Sequence, residues 1–329
     1  MNQPFRVGVI GLGQRWRRHY RPALPRLPQL FRIEAVCDQW LRRAAEEAKA
    51  LRCRVAAGPG EMLERSDIDA VVVVDRQWYG SWPVALALRL GKPILCADLR
   101  WGDVLDLEQW QEAIRARQLP VLLELSARQA PASQRLRELL ATWLGPARLV
   151  QCEWLQAAPP HHHRPSVLME PLWQSLDLQG LDWSLSCFDA LPEQVQCVIA
   201  PSGNYVSLQL LFAEDRVAEV LMYRQPRRQS RCCLRVLADQ GQATAHLPRQ
   251  LYWEDSEGRH RQVLHRNHKS LIINILEQFY DLRDSGRPPP SFDALRLLAP
   301  VVRAARRSWT ERRIVSLAEE TAATPTGSG

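Results

Sequence analysis

Short apolar runs alternate with amphipathic stretches from Phe5 to Leu125, and this rhythm constrains the fold more than any other feature of the chain. The stretch from Trp40 to Leu51 carries alanine and leucine on one helical face and charged residues on the other, which predicts a covering helix between two strands. Strands separated by such helices form a parallel sheet. Five strands are predicted, at Arg6 to Ile10, Arg32 to Cys37, Ala70 to Val74, Pro93 to Cys96 and Pro120 to Leu125, with an extra candidate around Arg52 to Ala56. We therefore predict an α/β domain with a parallel sheet over residues 1–125.

The rhythm changes after Leu125. A predicted helix, Pro131 to Leu144, is followed by apolar runs that lie too close together for crossover helices, so their sheet should be open and mostly antiparallel. These runs are Arg148 to Trp154, Gln194 to Ile199, Tyr205 to Phe212, Val217 to Tyr223, Arg231 to Ala238 and Gln242 to Leu247. Two further helices are predicted at His268 to Asp284 and Ser291 to Arg307. We predict a second α/β domain over residues 126–320 and a disordered tail over residues 321–329.

Composition narrows the class of protein. The 329 residues are 46% hydrophobic and 24% charged, which is typical of a globular protein. No apolar run reaches the roughly 18 residues of a membrane span, and the N-terminus has no cleavable leader, so we expect a cytoplasmic protein with no membrane partner. The net charge of +7 is spread among interleaved acidic and basic residues, such as Arg42 and Arg43 beside Glu46 and Glu47. We therefore expect no nucleic-acid partner.

A glycine-rich turn follows the first predicted strand. It reads Gly11-Leu12-Gly13-Gln14-Arg15-Trp16, with the first two glycines of the dinucleotide fingerprint and a tryptophan in place of the third. Gly11 permits a tight turn, and Gly13 lets the backbone approach a pyrophosphate. Asp38 ends the second strand 25 residues after Gly13, near where an acidic side chain accepts hydrogen bonds from the adenine ribose. The turn predicts a Rossmann domain, and Asp38 favours NAD(H) as the cofactor.

Two alternatives stay open at this turn. Any of Arg15, Arg17, Arg18 or Arg42 is close enough in sequence to hold the 2′-phosphate of NADP(H). A glycine turn in the same strand-turn-helix context can also bind nothing.

Five segments together resemble the glucose-fructose oxidoreductase, inositol dehydrogenase and rhizopine catabolism (Gfo/Idh/MocA) family. They are Val7 to Gly13 with His19 after it, Ala35 to Asp38, Asp67 to Val73, Gly91 to Cys96, and Ser285 to Pro290. The resemblance implies a Rossmann domain followed by an open-sheet α/β domain, in a homo-oligomer built through the exposed face of that sheet. Tyr205 to Tyr223 is the apolar part of the sheet that would otherwise be exposed.

The resemblance also aligns this chain with the family's catalytic motifs. The family lysine of Glu-Lys-Pro is replaced by Asp98, which follows Ala97. The Thr-Pro-Asn motif after the fourth strand reads Asp75-Arg76-Gln77, and only Gln77 is a plausible amide replacement. The predicted cofactor contacts are Gly11, Gly13, Gln14, Arg15, Trp16, Asp38, Asp75, Gln77, Ala97 and Asp98.

A third family motif, Asp-x-Gly-x-His-x-x-Asp, aligns with Ser175 to Asp182, where Gln179 takes the histidine position and Asp182 persists. A carbinol can exchange its proton only with a positioned acid or base. We predict Asp98 as a general base, with Tyr79, Gln179 and Asp182 as further catalytic candidates.

The tract His161-His162-His163 lies in a proline-bounded loop. Contiguous histidines rarely point at one tetrahedral centre, so we expect no metal here. By resemblance the segment lines a substrate pocket, which makes His163 and Arg164 candidate substrate contacts together with Arg128. A solvated loop is an equal alternative for the tract, and a surface ion pair is an alternative for Arg128.

Two functions follow as hypotheses. The first is an NAD(P)-dependent oxidoreductase that acts on a sugar, polyol or related carbonyl compound with substituted catalytic residues. The second is a non-catalytic NAD(P)-binding sensor or partner protein, because function resides in the site and not in the fold.

Overall fold

The strands of this chain form two sheets, and each sheet is the centre of one compact unit. The computed structural model describes residues 3–76, 79–158, 177–188, 190–200, 205–226, 231–264, 268–285 and 290–323. Unit 1 comprises Met1–Leu99, Asp106–Glu124 and Asn267–Asp293, and unit 2 comprises Arg100–Leu105, Leu125–Arg266 and Ala294–Gly329.

The sheet of unit 1 is parallel throughout, with the strand order β3-β2-β1-β4-β5-β6. Its strands are β1 Phe5–Ile10, β2 Phe31–Cys37, β3 Arg54–Val55, β4 Ala70–Val73, β5 Ile94–Cys96 and β6 Val121–Leu123. Every residue of β4 is buried, because helices cover both faces of a parallel sheet. This is the doubly wound order, in which ligands bind beyond the carboxyl ends of the strands where the order reverses, here between β1 and β4. The predicted parallel-sheet domain is confirmed.

Ten α-helices lie in the part of the chain that the structure describes. They are α1 Leu41–Leu51, α2 Pro59–Glu64, α3 Trp82–Arg89, α4 Leu107–Arg117, α5 Ser126–Gln129, α6 Pro131–Leu139, α7 Gln179–Leu185, α8 His268–Ser285, α9 Pro290–Glu311 and α10 Leu317–Ala323. The last helix ends at Ala323, three residues into the segment that was predicted as a disordered tail. None of the helices among the described residues is long and apolar enough to cross a membrane.

Helix α8 packs in unit 1, although the sequence placed it in the second domain. The ring of Phe279 stacks on Phe31 at 6.4 Å, and Tyr280 meets Phe5 edge-on at 5.5 Å. These rings lie over β1 and β2, where they bury apolar surface that the short crossover segments leave open. The observed division therefore differs from the predicted 1–125 and 126–320 at α8, and also at Arg100–Leu105, which belongs to unit 2.

The sheet of unit 2 has nine strands in the order β14-β13-β12-β11-β7-β10-β9-β8-β15. All neighbours are antiparallel except β7 and β10, which confirms the predicted mostly antiparallel sheet. The strands are β7 Ala147–Ala158, β8 Gln194–Ile199, β9 Tyr205–Leu211, β10 Val217–Pro226, β11 Arg231–Ala238, β12 Gly241–His246, β13 Gln250–Asp255, β14 Gly258–Val263 and β15 Val315–Ser316.

The two faces of this sheet differ in exposure. Val150, Val220 and Leu234 point to one face and are completely buried. Alternate residues point to the other face, where Val198 is 53% and Leu237 is 52% exposed. Self-association through this open face stays a prediction.

Candidate functional site

The glycine turn joins β1 to the next helical segment at the carboxyl edge of the first sheet. Gly11 has φ +89°, and a Cβ built there would lie 1.9 Å from the carbonyl oxygen of Asp75. The Gly11 N–H donates to the carbonyl of Cys37 at the end of β2. The turn is therefore wedged between the backbones that follow β2 and β4, and only glycine fits at position 11.

Asp38 lies directly beside this turn. Its buried carboxylate accepts the N–H of Leu12 at 2.8 Å and the N–H of Trp40 at 2.9 Å. Arg43 of α1 approaches both carboxylate oxygens at 3.4 Å. Asp38 thus holds the glycine turn in shape, and an arginine already partly balances its charge.

The arginine beside Asp38 is not one of the four that the sequence suggested for a 2′-phosphate. Arg42 points away from Asp38 and pairs with Glu46 on the exposed side of α1. One residue further along the helix, Arg43 is rotated by about 100° onto the side that faces Asp38. Arg43 is therefore the basic residue beside Asp38, and a 2′-phosphate contact by Arg15, Arg17, Arg18 or Arg42 stays a prediction.

Trp16 takes the place of the third glycine and is completely buried in the core of unit 1. The backbone of Trp16–Tyr20 forms a π-helical turn, in which the Arg21 N–H donates to the Trp16 carbonyl. A π-helical turn is wider than an α-helical one, which gives the indole room where a glycine would let an α-helix pack closely. Only the backbone of Trp16 remains for the predicted cofactor contact.

Arg15 and Tyr20 both bond to the carboxylate of Glu124, which follows β6 and is 3% exposed. Burial raises the pKa of Tyr20 well above its usual range, so its hydroxyl stays protonated and donates to Glu124. The side chain of Arg15 is 30% exposed, and it is the one charged group of this cluster that reaches solvent. Sequence reasoning missed Glu124, although a carboxylate that closes an apolar strand is a detectable signal.

Gln14, the other predicted contact in this segment, is exposed. With its amide oxygen facing Arg18, the side chain accepts from that guanidinium at 2.8 Å.

Asp75 follows β4 and lies against the second glycine of the turn. A Cβ built on Gly13 would lie 2.4 Å from Asp75 Oδ2. At Gly13 the obstacle is thus the end of a side chain, whereas at Gly11 it is backbone.

Arg76 and Asp98 connect the next two strand ends. The Arg76 N–H donates to Asp98 Oδ2 at 3.1 Å, and its Nε donates to the Asp98 carbonyl at 2.8 Å. Arg76 is 1% exposed and also donates to the carbonyl of Gly80. Ala97 is buried, and its N–H continues the ladder to Val73. Asp98 is half-buried and oriented by Arg76, a residue to which the sequence gave no role.

Tyr79 is also half-buried, and its hydroxyl contacts Cys37 Sγ at 3.7 Å. Burial raises the pKa of Tyr79 above its usual value, which keeps the phenol protonated at neutral pH. The Tyr79 hydroxyl can therefore donate a hydrogen bond, but its raised pKa makes it a weaker acid than an ordinary phenol. Gln77 lies outside the described residues.

A second group of predicted residues lies within unit 2. The carboxylate of Asp182 is completely buried and binds the Arg128 guanidinium through both oxygens, with the Nε at 2.7 Å. Burial raises the pKa of Asp182 to about 6, although Arg128 acts to lower it. Gln179 is 2% exposed, and its amide oxygen accepts the Ala127 N–H at 2.9 Å. These contacts fix α7 to the segment that contains α5.

His163 and Arg164 lie outside the described residues, so their predicted contact with substrate stays a prediction. Among the side chains that the structure does describe, no three histidine, cysteine, aspartate or glutamate residues are grouped so as to hold a metal ion.

Residues 5–97 match the family model described as the oxidoreductase family with an NAD-binding Rossmann fold, GFO_IDH_MocA. Residues 5–97 are therefore similar to the NAD-binding Rossmann domain of this family. This match confirms the resemblance that the sequence motifs predicted. No curated protein shows detectable similarity in sequence.

The fold of the whole chain is similar to solved structures at low sequence identity. UDP-N-acetylglucosamine 3-dehydrogenase GnnA from Acidithiobacillus ferrooxidans has a TM-score of 0.71 at 21% identity, over 94% of this chain and 99% of that one. GenD2 from gentamicin A biosynthesis, in complex with NAD, has a TM-score of 0.76 at 19% identity, over 96% and 97%. Myo-inositol 2-dehydrogenase from Lactobacillus plantarum has a TM-score of 0.71 at 14% identity, over 95% and 99%. These similarities confirm the two-sheet α/β fold.

At the carboxyl edge of this sheet three arginines bond to three acidic residues, Arg43 and Arg15 through a carboxylate and Arg76 through a backbone carbonyl. Arg43 lies on Asp38, Arg15 on Glu124 and Arg76 on Asp98. The edge therefore combines acidic side chains with the backbone N–H groups of Leu12, Trp40 and Arg76 that donate to them.

Proposed function

We propose that this protein is an NAD(P)-dependent oxidoreductase of the Gfo/Idh/MocA type that acts on a sugar, a polyol or a related carbonyl compound. The observation that carries the proposal is the glycine turn tied to Asp38 by the Leu12 N–H at the carboxyl edge of the doubly wound sheet. Solved proteins of similar fold are described as dehydrogenases of inositol and of a nucleotide sugar, which supports the substrate class.

The residues at this edge fit a dinucleotide. Gly13 carries no side chain at the approach of the pyrophosphate, and Asp38 lies where acidic residues bind the adenine ribose. Trp40, two residues after Asp38, is 42% exposed and is suited to cover an adenine ring. We favour NAD(H), and Arg43 beside Asp38 makes NADP(H) a second ligand of the same site. A bound nicotinamide supplies the hydride chemistry that protein side chains lack.

In this proposal the chain itself manages the proton of the substrate hydroxyl. Asp98 lies after β5 at the edge where ligands bind, and its carboxylate is an acceptor held in place by the Arg76 N–H. In this role Asp98 acts as the general base. Because the Arg76 N–H already orients its carboxylate, Asp98 loses little rotamer freedom when it accepts the proton.

Isothermal titration calorimetry tests the cofactor assignment. We expect the parent protein to bind NADH. We expect Gly13→Val to weaken this binding by at least about 100-fold, because the branched valine side chain fills the space through which the pyrophosphate approaches the backbone. The variant should still fold, since Gly13 does not have a positive φ and its Cβ would meet only the mobile end of Asp75. Gly58→Ala is the matched control, since a Cβ there meets nothing within 4 Å. If the parent produces no heat with millimolar NADH or NADPH, the proposal is wrong.

A second candidate is a non-catalytic NAD(P)-binding sensor. The observation that favours it is the burial of Gln179 and Asp182, whose polar atoms serve contacts within unit 2. Side chains whose polar atoms are buried in such contacts are poorly placed to carry a proton to or from a substrate. Asp98 is therefore the main candidate for a catalytic base.

Asp98→Asn distinguishes the two candidates. Asparagine keeps an oxygen that can accept the Arg76 N–H but cannot take up a proton, so we expect turnover to fall by at least about 100-fold while NADH still binds. The measurement is reduction of NAD⁺ against a panel of sugars and polyols. Asp239→Asn is the control and should change turnover little, since Asp239 lies in unit 2 and pairs with the exposed Arg148. A parent that binds NADH but oxidises no compound in the panel, and that an Asp98→Lys change does not activate, supports the sensor.

A further inference from the structure

The space beside Gly13 is taken up by a carboxylate. The second glycine of a dinucleotide turn lacks a side chain so that the pyrophosphate can come close to the backbone. In this chain a Cβ built on Gly13 would be 2.4 Å from Asp75 Oδ2 and 3.5 Å from its Cγ. The carboxylate of Asp75 therefore occupies the space that the missing side chain leaves.

A carboxylate in that place opposes the ligand in two ways. It fills volume that a phosphate oxygen would use, and it repels the negative charge of the pyrophosphate at short range. By resemblance, family members have a neutral threonine at this position, so the charge is a feature of this chain.

We propose that Asp75 sets the affinity of this protein for dinucleotides by opposing the pyrophosphate. This inference rests on the proposed function and adds a residue that determines how tightly the cofactor binds. Binding requires the Asp75 side chain to leave the space beside Gly13. The free-energy cost of that movement and of the charge repulsion lowers the affinity for NADH. A nucleoside without phosphates does not meet this barrier.

Calorimetry of the full chain with two probes tests the proposal. Asp75→Asn keeps the size of the side chain and removes its charge, so we expect NADH to bind about 10-fold more tightly. Asp75→Thr also reduces the volume and should tighten NADH further. Adenosine should bind the parent and both variants equally.

Asp69→Asn is the matched control for net charge. Asp69 lies just before β4, at the opposite end of the same strand, and pairs with Arg6. This variant should leave NADH affinity unchanged. A cooperative thermal unfolding transition establishes that each variant is folded. If Asp75→Asn does not fold, Asp75→Thr provides the test.

The outcomes separate this inference from the proposed function. If the parent and both Asp75 variants bind NADH equally, the role of Asp75 is refuted while the cofactor assignment stands. Weaker NADH binding by the variants, or an equal gain for adenosine, also refutes it. If neither the parent nor the variants bind NADH, both the inference and the proposed function fail.

Discussion

Replacing Gly11 by alanine is expected to destabilise unit 1 by about 3 kcal/mol or more, the largest effect of any single change proposed for this domain. The added Cβ would lie 1.9 Å from the carbonyl oxygen of Asp75, which is backbone and cannot rotate away. The positive φ of Gly11, +89°, adds the strain that an L side chain suffers in this region. Urea unfolding followed by circular dichroism measures the loss.

Gly91→Ala separates the two contributions. Gly91 also has a positive φ, +69°, but a Cβ there would meet nothing within 4 Å. It should lose only the backbone strain, about 1 to 2 kcal/mol. Equal losses in the two variants would contradict the wedged position of the glycine turn.

The second large effect is expected for Arg128→Ala, at about 3 to 4 kcal/mol at pH 7.5 and about half of that at pH 5. Asp182 is completely buried, and its pKa in the folded protein is raised from 3.8 to about 6. Folding therefore takes up a proton at Asp182, and its contribution to stability falls as pH rises from about 4 to about 6. Without Arg128 the pKa rises further, so the loss continues to grow above pH 6. Chemical unfolding at the two pH values gives the difference.

Two comparisons sharpen this test. Arg148→Ala removes the exposed partner of Asp239 and should change stability little at either pH. Adding Asp182→Asn to Arg128→Ala removes the titrating group and should abolish the pH-dependent part of the loss. A penalty of the same size at both pH values would show that Asp182 is not the group responsible.

The sequence predicted the strands of the first sheet better than the polar hairpin of the second sheet or the packing of the helices. Five strands of the first sheet are at the predicted places because they carry strong apolar runs, and the extra candidate around Arg52 to Ala56 contains the short, exposed strand β3. The hairpin of β13 and β14 was missed, since its residues are largely polar and its order depends on cross-strand contacts such as the stack of Trp253 on His260 at 4.8 Å. Helix α8 was predicted, but its packing on Phe5 and Phe31 was not, because amphipathicity does not identify the partner of a helix.

The candidate site shows the same limit. The glycine turn and Asp38 were found from local spacing, and the structure joins them through the Leu12 N–H. The pairing of Arg15 with Glu124 links residues that are 109 positions apart and leaves no local pattern. Gln179 was aligned with a catalytic histidine. In the structure its side chain is buried, and its amide oxygen accepts the Ala127 N–H. Spacing identifies which strand ends meet, and it does not show which side chains pair there.

The return of α8 to unit 1 has a consequence for biosynthesis. Phe5 and Phe31 leave the ribosome long before the Phe279 and Tyr280 rings that cover them are made. Until then the first sheet exposes an aromatic surface, so this nascent chain depends on delayed completion of its N-terminal domain or on a chaperone that shields it. Truncation to residues 1–125 recreates that exposed intermediate permanently, which makes the apparent N-terminal domain a poor unit for separate expression.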